Sequence, residues 1–125
     1  MKKIIGSKQA PAAIGPYSQG VKVGNFLFVS GQLPIDPDSG SMANNVEAQT
    51  KQSLNNLQAI IEASDMRLND VVKVTVFLAD MNDFIEMNDV YSMFFTDNFP
   101  ARVAVEVARL PKDALVEIDA VVYRE

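Results

Sequence analysis

Apolar and polar residues alternate in several segments of this chain, which is the pattern of half-buried β-strands. Gly24-Asn25 separates two of these segments and is a two-residue connection typical of a β-hairpin. Asp36–Gly40 is rich in Asp, Pro and Gly and predicts a loop. The pattern predicts strands at or near Ile4–Ile5, Gln19–Val23, Phe26–Ser30, Val71–Leu78, Arg102–Val107 and Val116–Val122.

A repeat of three to four residues predicts two helices. The first runs from about Val46 to Ala63, with Asn45 as its N-cap. The second runs from Met81 or Asn82 to about Phe95. The stripe on the first helix consists of Val46, Thr50, Leu54, Leu57 and Ile61. The stripe on the second helix consists of Phe84, Met87, Tyr91 and Phe94. This order of elements predicts an α+β fold, a single mixed β-sheet with both helices on one face.

The phase of the alternation assigns the side chains of the two closing strands to the faces of the sheet. The residues predicted to face the core are Val103, Val105, Val107, Val116, Ile118, Ala120 and Val122. Arg102, Ala104 and Glu117 then lie on the opposite face. A guanidinium and a carboxylate on rigid strands could together hold a small anionic substrate and a water.

That second face is not covered by any predicted element, yet it is only partly polar. Its predicted members are Phe77, Ala104, Leu115, Val121 and Tyr123 among Lys73, Thr75, Arg102, Glu106, Glu117 and Asp119. A half-apolar open face on a small domain favours oligomerisation. A cyclic assembly would also create clefts between subunits, where ligands often bind.

Length and charge restrict the class of protein. With 125 residues the chain is expected to form one domain, 1–125. The formal net charge is −5 and the few basic residues are scattered, so binding to nucleic acid or to an anionic membrane is disfavoured. No apolar run reaches membrane-spanning length and the N-terminus lacks a leader pattern, so a soluble, cytoplasmic protein is expected.

The chain contains neither cysteine nor histidine. A disulfide, a cysteine nucleophile and a zinc site with nitrogen or sulfur ligands are therefore excluded. Histidine, the commonest general acid or base, is also absent. Proton transfer would have to use a carboxylate, a tyrosine, a lysine or bound water.

Four segments in order resemble the Rid family, the reactive intermediate deaminases of the YjgF type, and specifically its RidA-like branch. The resemblance covers essentially the whole chain. It rests on Gly15–Gly20, on Phe28–Gln32, on Phe84, Met87-Asn88, Val90-Tyr91 and Phe94-Phe95, and on the closing segment from Pro100-Ala101-Arg102 to Val116-Glu117-Ile118.

The resemblance implies a chorismate-mutase-like fold and a homotrimer with a cleft at each subunit interface. RidA-like proteins hydrolyse 2-imino acids and enamines, such as 2-iminopropanoate from 2-aminoacrylate, to 2-oxo acids and ammonia. This prevents damage to other enzymes. The reaction needs no metal and no organic cofactor, so the implied partners are a small imino acid and further copies of the chain.

Arg102 and Glu117 are the first candidates for catalysis. A guanidinium can bind the substrate carboxylate through two parallel hydrogen bonds, although a solvated surface ion pair is the commoner fate of an arginine. Glu117 can bind and activate the attacking water, especially if burial raises its pKa. Its alternative role is a structural carboxylate paired with a cation across the sheet.

Tyr17 follows the Gly15-Pro16 turn and is the third candidate for catalysis, because it resembles the cleft tyrosine of the family. Its alternative role is to anchor its own loop. Ser30 and Gly31 are candidates for substrate binding, because glycine allows a ligand to approach the main chain closely. Asn88 could fix the Arg102 side of the site or be an ordinary polar helix residue.

Ala104 is a further candidate for substrate binding and a departure from the family. Many RidA-like proteins have a cysteine two residues after the signature arginine, where this chain has Ala104. If that position acts through its backbone N–H, alanine preserves the chemistry. If the thiol matters, its redox behaviour is absent here.

Two other functions remain open. The same cleft could bind a 2-oxo acid without turnover, as in a regulatory or interaction protein. An endoribonuclease also has precedent among relatives, but the acidic balance and the lack of histidine count against it.

Overall fold

The computed structural model describes residues 1–125 and contains six strands and two helices. The strands are β1 (Lys2–Ile5), β2 (Gly20–Val23), β3 (Phe26–Gln32), β4 (Val71–Leu78), β5 (Ala101–Glu106) and β6 (Val116–Tyr123). The helices are α1 (Val46–Ala63) and α2 (Phe84–Phe94). Short 3₁₀ turns at Leu68–Asp70, Met81–Asp83 and Pro111–Asp113 precede β4, α2 and β6. The predicted α+β class and element order are confirmed.

The six strands form one mixed sheet in the order β1-β2-β3-β6-β4-β5. The pairs are antiparallel except for β4 and β5, which are parallel and connected through α2. The last strand, β6, lies in the middle of the sheet between β3 and β4. This places Glu117 on a central strand and Arg102 on the edge strand β5.

Helix α1 begins at Val46 as predicted, because its cap agrees with the apolar period. Helix α2 begins at Phe84, later than the predicted Met81 or Asn82, because those residues form a separate 3₁₀ turn. The Oδ1 atom of Asn45 accepts a hydrogen bond from the N–H of Ala48 at 2.8 Å and caps α1. Asp80 caps the turn before α2 by accepting from the N–H of Asn82 at 2.9 Å. The two helices cover one face of the sheet, and the core lies between these layers. It includes Leu54, Leu57, Ile60, Val74, Val76, Met87, Tyr91 and Ile118.

The predicted phase of β5 is wrong. Val103 and Val105 are 43% and 37% exposed on the open face of the sheet, whereas Arg102 and Ala104 point toward the helices. Alternation alone allows either phase, and the prediction that the valines face the core depends only on their apolar character. The physical reason for the error is that the open face is itself apolar at this edge strand.

A smaller difference concerns the start of β4. Val74, Val76 and Leu78 are buried in regular alternation, but before them Val71 is buried and Val72 is 44% exposed, so the alternation is interrupted. The pairing of β4 with β6 shifts register between Val71 and Lys73, and such a bulge changes the phase of the side chains by one residue. No helix of the chain is long and apolar enough to cross a membrane.

Candidate active site

The Arg102 side chain lies under helix α2. Its Nη1 atom donates a hydrogen bond to the Oδ1 atom of Asn88 at 2.7 Å. Its Cζ atom is 4.6 Å from the ring centre of Tyr91 and 5.6 Å from that of Phe84. Strand β5 fixes the backbone at Arg102 and α2 supplies all three neighbours, so the guanidinium is held by two regular elements.

No carboxylate neutralises Arg102. The single ion pair of the chain joins Arg109 and Asp113, both largely exposed, at 2.8 Å. The common fate of an arginine, a surface ion pair, therefore does not apply to Arg102 within this chain. Arg102 opens on a cavity of about 310 Å³, and its remaining N–H groups are free to bind an anion. The residues that line this cavity are Asn88, Tyr91, Ser92, Phe95, Phe99, Pro100 and Arg102.

Glu117 lies on the opposite, open face of the sheet, directly against Gly31. The register of β3 and β6 shifts between Val29 and Gln32, so the chain bulges around Ser30 and Gly31. A Cβ atom placed on Gly31 would overlap the Oε2 atom of Glu117. Any larger residue here would force the carboxylate to move, so the absence of a side chain at Gly31 permits this close approach.

Partial burial raises the pKa of the Glu117 carboxyl, and the negative charge of Asp119 raises it further. Asp119 is two residues along the same strand and thus on the same face. Its Oδ1 atom accepts a hydrogen bond from the N–H of Thr75 at 3.2 Å, which holds it there. A carboxyl with a raised pKa is suited to exchange a proton with bound water near neutral pH.

A loop from the N-terminal region forms the wall beside Glu117. The Ser30 hydroxyl donates to the carbonyl of Ser18 at 2.6 Å, and the Ser30 N–H donates to the carbonyl of Gln19 at 2.9 Å. Tyr17, 53% exposed, is at the tip of this loop. Ser30 therefore helps to hold the loop, and Tyr17 presents its ring to the cleft.

Gln19 organises the same loop, a contribution the residue pattern did not reveal. Its buried side-chain amide accepts from the N–H of Ser7 at 2.7 Å and donates to the carbonyls of Ser7, Ala10 and Pro11 at 3.1, 3.3 and 2.7 Å. The only signal in the sequence was a polar residue directly before a short strand.

Tyr17, Ser30, Gly31 and Glu117 line one cleft of about 770 Å³. Lys112, in the left-handed conformation with φ of 57°, borders it from the turn before β6. Asn88 and Arg102 line the other cavity, and the two share no residue. The expectation that Arg102 and Glu117 stand on the same face of the sheet is thus wrong, because the phase of β5 is reversed.

Ala104 lies on the same side of β5 as Arg102 and is half-buried against the core. Strand β5 is at the edge of the sheet, so one set of its backbone groups has no strand partner. Directly after β5, the N–H of Val107 donates to the carbonyl of Leu78 in β4 at 2.9 Å, so this N–H points toward β4. Since backbone groups alternate along a strand, the N–H of Ala104 is directed away from β4, toward the free edge.

No group of three or more carboxylates is close enough together to hold a metal ion. The candidate residues thus form two polar half-sites on one α+β scaffold: an uncompensated guanidinium under α2, and a carboxyl with a raised pKa on the open face of the sheet. These two features define the class of protein as a small α+β protein with a guanidinium and a carboxyl of raised pKa on opposite faces of one sheet.

Comparison with known proteins identifies the family. Residues 7–124 match the model of the Endoribonuclease L-PSP family, which is the Rid or YjgF family. The chain belongs to this family, and the resemblance noted in its sequence motifs is confirmed.

Similar proteins match over their full length. A 2-iminobutanoate/2-iminopropanoate deaminase of Salmonella typhimurium is 52% identical over 127 residues, 99% of each chain. A RutC family protein of Pyrococcus horikoshii is 56% identical over 126 residues, 100% of each chain. The crystal structure of Escherichia coli TdcF with bound serine has a TM-score of 0.96 and 45% identity, covering 98% of this chain and 99% of that one.

Proposed function

We propose that this protein hydrolyses 2-imino acids, and the enamines that tautomerise to them, to 2-oxo acids and ammonia. Relatives that are about half identical over nearly the whole chain are named 2-iminobutanoate/2-iminopropanoate deaminase. The observation in this chain that carries the proposal is the Arg102 guanidinium, which is fixed under α2 but has no carboxylate partner. An imino acid supplies that missing carboxylate.

The catalytic site is formed between subunits. Arg102 and Glu117 face opposite sides of one sheet, so they act on one substrate when Arg102 comes from one copy and Glu117 from its neighbour. The exposed Val103 and Val105, together with Phe26 and Phe28, give the open face the apolar area that an interface needs. A homotrimer with three such clefts satisfies both requirements, and light scattering at micromolar concentration tests it.

Each candidate residue then has a role. Arg102, held by Asn88, binds the carboxylate of the substrate. Backbone groups at Ser30-Gly31 and the N–H of Ala104 orient the imine, while Tyr17 covers the cleft. Because the N–H of Ala104 and not its side chain does this, alanine preserves the function where relatives have cysteine.

The reaction is an addition followed by an elimination. Glu117 positions a water against C2 of the imine, and a new C–O bond forms while the C=N π electrons move to nitrogen. One proton passes from the added oxygen to nitrogen and gives the carbinolamine. The second proton of the added water then passes to nitrogen, the oxygen electron pair forms the C=O bond, and the C–N bond breaks with its electron pair leaving on ammonia. The products are the 2-oxo acid and ammonia, which account for all atoms of the imine and the water. No metal or organic cofactor takes part in this scheme.

The test is release of 2-oxo acid from imino acids that an amino-acid oxidase or a serine/threonine dehydratase generates in situ, with semicarbazide to trap free imine. Wild type accelerates release, and Arg102→Ala lowers the acceleration about 10²-fold or more, since a principal charge contact is lost. Arg124→Ala is the matched control, because Arg124 is exposed and its side chain bonds only to the carbonyl of Asp65 at 2.8 Å. Full activity in Arg102→Ala would contradict the assignment.

The main alternative is a protein that binds a 2-oxo acid in the same cleft without turnover. The TdcF structure with bound serine shows that a relative holds an amino acid. Binding of 2-oxobutanoate by this protein, with no acceleration of imine hydrolysis for several side chains, would select the alternative. The cytoplasmic location expected from the sequence stays a prediction.

The family model carries the name of an endoribonuclease, but the net charge of −5 and the lack of histidine disfavour RNA cleavage here. We expect no RNA binding even at low salt, where the attraction of scattered basic residues for phosphates is strongest.

A further inference from the structure

All the groups around the Arg102 guanidinium are neutral. Phe84 and Tyr91 present ring faces at 5.6 and 4.6 Å, and the Asn88 amide accepts one N–H at 2.7 Å. Arg109, in contrast, has the carboxylate of Asp113 at 2.8 Å. The first environment orients a guanidinium and leaves its charge uncompensated, whereas the second neutralises it.

Tyr91 is the most constrained member of this group. It is 6% exposed, and its ring centre is 4.7 Å from that of Phe95 within the core. Its hydroxyl is buried and makes no hydrogen bond of good geometry, although Arg102 lies near enough to lower the pKa of the phenol through its charge and a side-chain hydrogen bond. A buried hydroxyl without a well-formed hydrogen bond contributes little to the fold. The well-defined contact between Tyr91 and Arg102 is the ring face, 4.6 Å from Cζ.

The phenol also stays uncharged. Burial raises the pKa of Tyr91, against the opposing effect of the nearby Arg102. At neutral pH the side chain is therefore a phenol, and no phenolate competes with an anionic ligand for the guanidinium.

We propose that Phe84, Asn88 and Tyr91 form a neutral cradle that fixes the plane of the Arg102 guanidinium and keeps its charge available for a substrate carboxylate. Phe84 and Tyr91 are thus positioning residues that act through Arg102. The inference rests on the proposed function in one respect, the use of Arg102 as the carboxylate anchor.

Asn88→Asp separates this role from simple packing. Aspartate has nearly the shape of asparagine, but it places a carboxylate where the amide oxygen now accepts from Nη1 at 2.7 Å. If the cradle only packs, the variant keeps its ligand binding, because the contact is retained as an ion pair. If neutrality is its purpose, the fold is retained while the affinity for carboxylates falls about tenfold or more, as expected for losing a hydrogen-bonded charge.

Two substitutions of Tyr91 separate the ring from the hydroxyl. Tyr91→Phe keeps the face and removes only the hydroxyl, so it should weaken binding much less than a substitution that removes the ring. Tyr91→Leu removes the face beneath the guanidinium and should weaken binding by about tenfold, within the range of desolvated cation–π contacts. The loss should fall mainly on KM, because the contact exists in both the ground state and the transition state.

The experiment measures the Kd for 2-oxobutanoate by NMR titration, and KM and kcat for imine hydrolysis, in wild type and the three variants. Melting temperatures report on folding. Weak binding by Asn88→Asp and Tyr91→Leu at normal melting temperature, with a clearly smaller loss of binding in Tyr91→Phe than in Tyr91→Leu, supports the cradle. Wild-type Kd and KM in Asn88→Asp would overturn it, and so would equal losses in Tyr91→Phe and Tyr91→Leu.

The binding measurement and the kinetic measurement test this inference and the proposed function separately. Wild type that binds 2-oxobutanoate without accelerating hydrolysis would overturn the proposed activity, and the Kd values of the variants would still decide the cradle. Wild type that neither binds 2-oxobutanoate nor accelerates hydrolysis would overturn both proposals.

Discussion

Arg102 and Glu117 stand on opposite faces of the same sheet, on the two strands that flank β4. Arg102 is paired with Val74 and Glu117 with Phe77. These two partners are three residues apart on one strand, and an odd separation places side chains on opposite faces. Val74 is fully buried under the helices, whereas Phe77 lies on the open face. One copy of the chain therefore cannot bring the two groups to one ligand.

The contact between Gly31 and Glu117 predicts the effect of adding one methyl group. Gly31→Ala should destabilise the protein by about 1–3 kcal/mol, because the new Cβ overlaps the carboxylate. Hydrolysis should fall with it as Glu117 is displaced. Urea unfolding measures the free energy of unfolding.

A double-mutant cycle controls for backbone effects at Gly31. In the background of Glu117→Ala the obstructing atoms are gone, so Gly31→Ala should cost much less. An equal cost in both backgrounds would show that the loss arises from the backbone at Gly31 and not from the carboxylate.

The raised pKa of Glu117 predicts a pH-dependent cost in stability. In the folded state burial and Asp119 raise the pKa above its value in the unfolded chain. The folded protein thus holds the proton more tightly, and stability present at low pH is lost as pH rises above the ordinary glutamate range.

Glu117→Gln removes this ionisation and serves as the probe. The free energy of unfolding of the variant relative to wild type should increase between about pH 4 and about pH 7.5. Chemical unfolding at the two pH values measures the difference. A difference that does not change with pH, or that decreases, contradicts the environment described for Glu117.

Gln19 is predicted to be essential for the loop that carries Tyr17. Gln19→Ala leaves buried main-chain groups of residues 7–11 without partners and should cost about 2 kcal/mol or more. Gln58→Ala is the matched control, since Gln58 makes one exposed bond to Glu62 at 3.2 Å. The melting temperature should fall and KM should rise in Gln19→Ala. Neither quantity should change in Gln58→Ala.

Much of the fold could be predicted because local signals agree with it. The period of α1, the cap at Asn45 and the Gly24-Asn25 turn each correspond to one structural element. The position of β6 in the middle of the sheet could not be predicted, since strand order depends on contacts distant in sequence. Alternation in β5 defined two faces but did not identify the core side, because both faces there carry apolar residues.

The motifs predict Arg102, Glu117, Tyr17 and Gly31 as site residues, and their roles stay predictions. The motifs do not indicate that these residues line two separate cavities. The sequence pattern places Tyr91 only in the apolar stripe of α2. Tyr91 is indeed core, and its upper face is at the same time the support of a guanidinium. A side chain with two such roles has the same apolar period in the sequence as one that only packs.

The central claim is that each active site combines Arg102 of one copy with Glu117 of another. Arg102→Ala and Glu117→Gln are each expected to be nearly inactive. The direct measurement is imine hydrolysis by assemblies that contain both variants, coexpressed with different tags and purified through both.

In a cyclic trimer of mixed composition, one of the three clefts pairs an intact Arg102 with an intact Glu117, so about one third of the wild-type activity should return. Mixed assemblies that form normally but hydrolyse imines no faster than the two parent variants would contradict the account.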